Sequence, residues 1–260
     1  MRLDQFFTNA DIVDQCVSTI SFKDYDVVIE PSAGSGAFYH KIIGEKIGID
    51  LEPKTEGVIQ QDFFNFHRFS RFNSERILVI GNPPFGKNSS LAVKFFNQAA
   101  TFADTIAFVL PRTFRKASVI NKLAERFNLI LENVLPSNSF HLPDGTIYDV
   151  PCVWQVWKFG AQRPMIKVET THPDFEFVDS DPDFVVQRVG VNAGWTHKNF
   201  TKSPSSHYLI KGSDEVYLKM VAINWDDFSS KYDTAGNPSI SKNDLIKKYN
   251  NPCLSTKNVR

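Results

Sequence analysis

The chain has 260 residues, 42% hydrophobic and 22% charged, which suits one medium-sized globular domain with a smaller appendage. Its 29 basic residues balance 29 acidic ones, which excludes a polybasic binder and confines any nucleic-acid contact to a local surface. Three scattered cysteines (Cys16, Cys152, Cys253) and an acidic start argue against a disulfide framework, a zinc site, a signal peptide and a membrane span, so a reduced cytoplasmic setting (nuclear in a eukaryote) is expected.

In chain order, residues 11–20 place Ile12, Val13, Cys16, Val17 and Ile20 on one helical face, with Thr8 or Asn9 as cap. Residues 26–30 read as a short buried strand, stopped by Pro31 and a small-residue turn. A helix is predicted next, over 37–43. Strands are predicted at 46–50, 57–60 and 77–80, and Asn88, Ser89 and Ser90 open a helix to about residue 103. A strand at 105–110 and a helix at 116–127 complete an alternation that predicts a parallel, doubly wound α/β sheet. Strands at 129–135 and 150–159 follow with only a long loop (136–149) between them, which predicts an antiparallel edge strand. Beyond Gly160 the texture becomes rich in Pro, Asp and Asn. Strands are expected there at 184–191 and 208–211, and helices from Ser213 and from Ser241, which forms a capping-box pattern with Asp244. The predicted division is a core over 1–160 and a small α+β extension over 161–260.

Four places carry chemistry. Glu30, Pro31, Ser32, Ala33, Gly34, Ser35 and Gly36 form a strand end running into a glycine turn, which lets backbone approach a ligand closely. Tyr39 stands where a dinucleotide fingerprint needs a third small residue, disfavouring NAD, and no Gly-Lys-Ser/Thr follows to make a P-loop. Asp50, at the end of the next strand, is placed to accept hydrogen bonds from ribose hydroxyls. Asp62 can accept from an exocyclic amine, and Phe63 can pack on a purine face. The fourth place is Gly81-Asn82-Pro83-Pro84-Phe85-Gly86. Its two prolines remove backbone donors and stiffen the turn. The amide oxygen of Asn82 and the carbonyl of Pro83 are then convergent acceptors beside the flat ring of Phe85, a set suited to a planar aromatic amine.

In this order the motifs resemble the amino-group methyltransferases that use S-adenosylmethionine, notably the N6-adenine enzymes acting on DNA or RNA. The resemblance covers roughly residues 5–160, and Gln5-Phe6-Phe7-Thr8-Asn9 looks like the family's cofactor-contacting motif. It implies a Rossmann-like class I sheet, mostly parallel. It also implies that Thr8, Glu30, Pro31, Ser32, Ala33, Gly34 and Gly36 hold the methionine moiety, Asp50 the ribose, and Asp62 and Phe63 the adenine. Asn82 and Pro83 would take the target amine, with Asn82 also at the cofactor, Pro84 fixing the turn and Phe85 stacking on the target base. Phe140 and Tyr148 are candidates for a second stacking ring. The implied reaction is in-line displacement on a sulfonium methyl, with no metal.

Lys87, Arg112, Arg115 and Lys116 are the expected contacts to a nucleic-acid backbone. Trp195, His197, Lys198, Phe200 and Lys202 form a second basic and aromatic stretch, either a nucleic-acid contact or a solvated surface. Lys242, Lys247 and Lys248 are expected on an exposed helix face. Two alternatives stay open: a protein glutamine N5-methyltransferase, whose related motif usually ends in Tyr, and an inactive methyltransferase-like subunit that binds nucleic acid. Open too are whether the C-terminal unit reads bases or buttresses the core, and whether a protein partner supplies target recognition.

Overall fold

The computed structural model describes residues 6–67, 75–201, 203–234 and 236–251, so Gln5, Lys202 and Cys253 lie outside it. The chain divides into two compact units. Residues 1–114 and 118–166 form one, and residues 115–117 with 167–260 form the other.

In the first unit, β1 (Phe7–Thr8) leads into α1 (Ala10–Val17), which buries Ile12, Val13 and Cys16 as the apolar spacing predicts. The sheet begins with β2 (Val27–Glu30), β3 (Lys46–Asp50) and β4 (Val58–Gln60). It continues with β5 (Ile77–Gly81), α2 (Ser90–Ala99) and β6 (Thr105–Pro111). After α3 (Ala117–Ile120) come β7 (Phe127–Val134), β8 (Phe140–His141), β9 (Ile147–Tyr148) and β10 (Cys152–Phe159). Seven strands pair in the order β4-β3-β2-β5-β6-β10-β7, a mostly parallel, Rossmann-like sheet. β10 runs antiparallel to both its neighbours.

That antiparallel strand lies one position in from the edge, not at it. Residues 152–157 are buried without a break, so β10 needs cover on both faces and a strand on each side. β7, which exposes Leu129, Ile130 and Val134, takes the edge instead. The chain lays down β2, β3 and β4 in one direction and then returns to place β5 on the other side of β2. This reversal opens a crevice at the carboxyl ends of β2 and β5, where open α/β sheets bind ligands.

Two expected helices shrink to single turns. Over 37–43 there is one 3-10 turn, Tyr39–Lys41. The Lys46 ammonium donates to the Tyr39 carbonyl at 2.9 Å, and the Ile42 N–H closes a 3-10 turn on the same carbonyl at 3.4 Å. Over 116–127 only α3 is helical. Its outgoing carbonyls are claimed by side chains: Arg163 donates to Ile120 and Leu123, and Asn97 donates to Lys122 while accepting from the Ala124 N–H. The loop 136–149, in turn, is partly ordered into a hairpin. There β8 and β9 pair with each other and β8 with β1, making a three-stranded sheet.

The second unit is built on an antiparallel sheet in the order β11-β14-β12-β13. These are β11 (Phe175–Val178), β12 (Phe184–Gln187), β13 (Thr196–His197) and β14 (His207–Gly212). α4 (Asp214–Val221) is capped by the Ser213 side chain, and α5 (Lys242–Asn250) carries the full Ser241/Asp244 capping box. Phe184, Ile210, Met220, Leu245 and Ile246 share one core. The expected exposed lysine face of α5 is only partly so: Lys247 is exposed, but Lys248 is buried, with its ammonium 5.6 Å from the Phe228 ring. Among the described residues, no helix is long and apolar enough to cross a membrane.

Candidate functional site

A cavity of about 320 Å³ opens where β2 and β5 end. Its wall carries Thr8, Pro31, Ser32, Ala33 and Gly34 from one side, Asp50 from the end of β3, Asp62 and Phe63 beyond β4, and Asn82, Pro83 and Pro84 after β5. Sequence reasoning named all of these, and the fold brings them together.

Asn82 is the best-defined of them. Its side-chain nitrogen donates to Thr8 Oγ1 at 3.1 Å, and its backbone carbonyl accepts from Ser32 Oγ at 3.2 Å. One bond holds the side chain and the other the backbone of this residue. Its side-chain oxygen is buried and has no hydrogen-bond partner, a costly state for an acceptor shut off from water. The Pro83 carbonyl also accepts no hydrogen bond within the described chain. Two adjacent acceptors therefore stand at the wall without donors.

The carboxylates are braced differently. Asp50 accepts the Gly34 N–H at 2.7 Å on one oxygen and the Glu52 N–H at 2.8 Å on the other. Each oxygen keeps a second lone pair for a ligand hydroxyl. The first bond ties the glycine turn, where Gly34 has φ +50, to the end of β3. Asp62 caps a 3-10 turn by accepting the Phe64 N–H at 2.9 Å, and its other oxygen accepts no bond. Phe63 lines the cavity and stacks on Phe95, ring centroids 5.4 Å apart.

Other expected site residues are placed elsewhere. Glu30 is 2% exposed and lies behind the wall, against Gly81, where an added Cβ would sit 3.2 Å from its Cγ. Burial drives its carboxyl well above the usual range. The Tyr39 backbone N–H partly offsets this, and one carboxyl oxygen remains without a partner. The native chain thus holds this proton more tightly than the unfolded chain does. The linked stability is complete below the ordinary carboxylate value and is withdrawn as pH rises through the native one. Glu30→Gln, which cannot ionise, is therefore expected to lose this slope. Urea midpoints from about pH 5 to about pH 9 should show the variant gaining on the parent by up to about 1.4 kcal/mol per pH unit.

Gly36 does not line the cavity. Phe85 is buried because Phe6 meets it edge-on at 5.1 Å. Phe140, named as a stacking ring, is fully buried against Phe6 and presents no free face. Tyr148 is partly exposed and lies 5.2 Å from Phe6.

The expected basic cluster is not one open patch. Lys87 is exposed beside the turn. Arg112 is half-buried, with an Nε that has no partner. Arg115 pairs with Asp233 at 3.3 Å. Burial lowers the Lys116 ammonium, while Asp244 and Asp233 raise it. Arg115 and Lys116 are thus balanced by carboxylates of their own unit.

Sequence reasoning missed Leu91 and Phe95, which line the cavity from one face of α2; their i,i+4 spacing just after the Asn82 turn was the available sign. It also missed that Phe6 contacts both Phe85 and Tyr148, for which the sequence carries no sign.

No protein-family model matches the chain. Among curated proteins it is 29% identical over 159 residues to Protein ENHANCED DOWNY MILDEW 2 of Arabidopsis thaliana, covering 53% of this chain and 12% of that protein. The chain therefore matches a small fraction of that relative's length. Among solved structures it is similar to a proposed RNA methyltransferase from Pyrococcus horikoshii, with TM-score 0.48, 14% identity, and coverage of 61% of this chain and 88% of that one. It is also similar to the modification subunit of a proposed type I restriction enzyme from Vibrio vulnificus, with TM-score 0.47, 14% identity, and coverage of 61% and 45%. A third is the 23S rRNA methyltransferase ErmE, with TM-score 0.45, 12% identity, and coverage of 63% and 72%.

Proposed function

We propose that the first unit binds S-adenosylmethionine in this cavity and transfers its methyl group to the N6 amine of adenine in a nucleic acid. The observation that carries the reading is the buried, donorless Asn82 oxygen beside the donorless Pro83 carbonyl. An aromatic amine has two N–H donors in one plane and answers both acceptors at once.

The cavity fits the cofactor by the chemistry of its wall. Asp50 keeps lone pairs for the two ribose hydroxyls, Asp62 has an oxygen for the adenine amine, Phe63 offers an apolar face, and the Gly34 turn allows close approach of the methionine part. When bound, the cofactor supplies an electrophilic methyl on a sulfonium. The chain's own residues do the rest. Asn82 and Pro83 draw on the amine hydrogens, turning the nitrogen lone pair out of the ring and towards the methyl, and they stabilise the positive charge that grows on nitrogen. No strong base is needed, because the amine proton becomes acidic only as that charge develops. For the base to stack on Phe85, Phe6 must turn aside. A paired adenine must also leave its duplex, at a few kcal/mol. In this reading Lys87, exposed just after the turn, meets a phosphate next to the flipped base.

The test is nucleoside mass spectrometry after incubation with methyl-labelled cofactor and, separately, unmodified DNA and RNA. Labelled N6-methyladenine in one polymer is the expected result. Label in neither polymer, with cofactor binding intact, would move the substrate to protein or demand a partner subunit.

A further inference from the structure

The second unit holds its own cavity, of about 490 Å³, and its polar wall is unbalanced. Trp225 is 8% exposed, and its indole N–H has no acceptor. Lys231, 5% exposed, lines the same cavity; its ammonium forms no ion pair or side-chain hydrogen bond, only a 5.1 Å approach to the Tyr232 ring. Beside both donors, Trp195 stands 56% exposed on the cavity wall. Asp226 is the one carboxylate on that wall; it is exposed to water and makes no ion pair with Lys231.

A buried indole N–H with no acceptor, beside an ammonium that forms no ion pair, suits an anionic oxygen, and an exposed indole next to them suits a flat ring. The geometry points to a nucleotide-binding pocket in the second unit, in which Lys231 and Trp225 take a backbone phosphate of a single-stranded nucleic acid and Trp195 stacks on the neighbouring base. The choice of nucleic acid over an acidic peptide rests on the proposed function and on Trp195, since a peptide carboxylate has no use for a large exposed ring. The pocket would grip the strand outside the reactive cavity, in a manner tolerant of sequence. It also gives the basic and aromatic stretch around residue 195 a specific anchor, Lys231, which lies far from that stretch in sequence and carried no sign there.

The experiment is anisotropy of a short labelled single strand titrated with the full chain across a salt series. Trp195→Ala is expected to weaken binding about tenfold, the usual size of one lost base–aromatic stack. Lys231→Met keeps the apolar stem and is expected to weaken binding and to flatten the slope of log affinity against log salt by about 0.7, one phosphate contact. Trp225→Phe keeps a ring and loses only the N–H, so it should show a smaller loss with an unchanged slope. Thermal unfolding of Lys231→Met and of the surface variant Trp195→Ala controls for a fold defect in each. Unchanged affinity and slope in Lys231→Met and Trp195→Ala would overturn the pocket, and so would displacement of the strand from it by an aspartate-rich peptide at lower concentration. Because binding is read apart from methyl transfer, adenine that stays unlabelled while the strand still binds through Lys231 would overturn the proposed reaction and leave the pocket standing.

Discussion

Asn82→Ala is expected to lower methyl transfer to adenine by about 100- to 1000-fold, the range seen when one preorganised charge-stabilising group is removed from a buried site. Cofactor affinity should change by less than about threefold, because the lost atoms face the amine. This split follows from how the side chain is held. Thr8 accepts from the side-chain nitrogen and Ser32 donates to the backbone carbonyl of the same residue, so the free side-chain oxygen is held in one orientation for the proposed amine. Preorganisation of this kind serves the transition state more than the bound substrate. Single-turnover transfer, with cofactor binding by calorimetry alongside, checks both halves. Full turnover in the variant would remove Asn82 from the amine site.

Asp50→Ala is expected to act in the opposite compartment, weakening cofactor binding by about 3 kcal/mol, or about a hundredfold. Hydrogen bonds to a charged acceptor are the stronger kind, and two of them would be lost to the ribose. A second loss adds to this. The same carboxylate anchors the Gly34 N–H, so the turn proposed to hold the methionine moiety loses its brace. Asp50→Asn separates the two effects, since it keeps an acceptor for Gly34 but gives up the charge. Calorimetry should place Asp50→Asn between the parent and Asp50→Ala. Equal binding by all three proteins would show that the ribose is held elsewhere.

Much of the first unit was legible because its signals are local. Strands such as residues 26–30 and 77–80 are short apolar runs stopped by Pro or Gly, and each functional turn lies directly after one. Once the strand order reverses between β2 and β5, those turns meet without further information. What stayed hidden is tertiary. The helices expected over 37–43 and 116–127 close as single turns whose carbonyls also accept from Lys46 and Arg163, side-chain contacts that periodicity cannot report. Phe140 carried the composition of a stacking ring, but burial beneath Phe6 makes it core. Arg115 and Lys116 look like free cations in sequence because Asp233 and Asp244 lie more than a hundred positions away. In the second unit, Trp225 and Lys231 have no motif at all. Their meaning lies in the partners they lack.

The three-stranded clasp of β1 with the β8–β9 hairpin has a consequence for how the molecule comes into being. Asn9 and His141, which hydrogen-bond at 2.7 Å, are 132 residues apart, and the clasp they belong to carries Thr8 to Asn82. Closing a contact of that range is slow and entropically late compared with pairing β2, β3 and β5. A chain growing from its N-terminus makes Thr8 and Asn82 early, yet it cannot set the amide until the hairpin at 140–148 has been synthesised. The turns after β2, β3 and β5 are then expected to form before the Asn82 amide is locked. The contact of Thr8 with Asn82 is thus expected to form only once the hairpin has closed on β1.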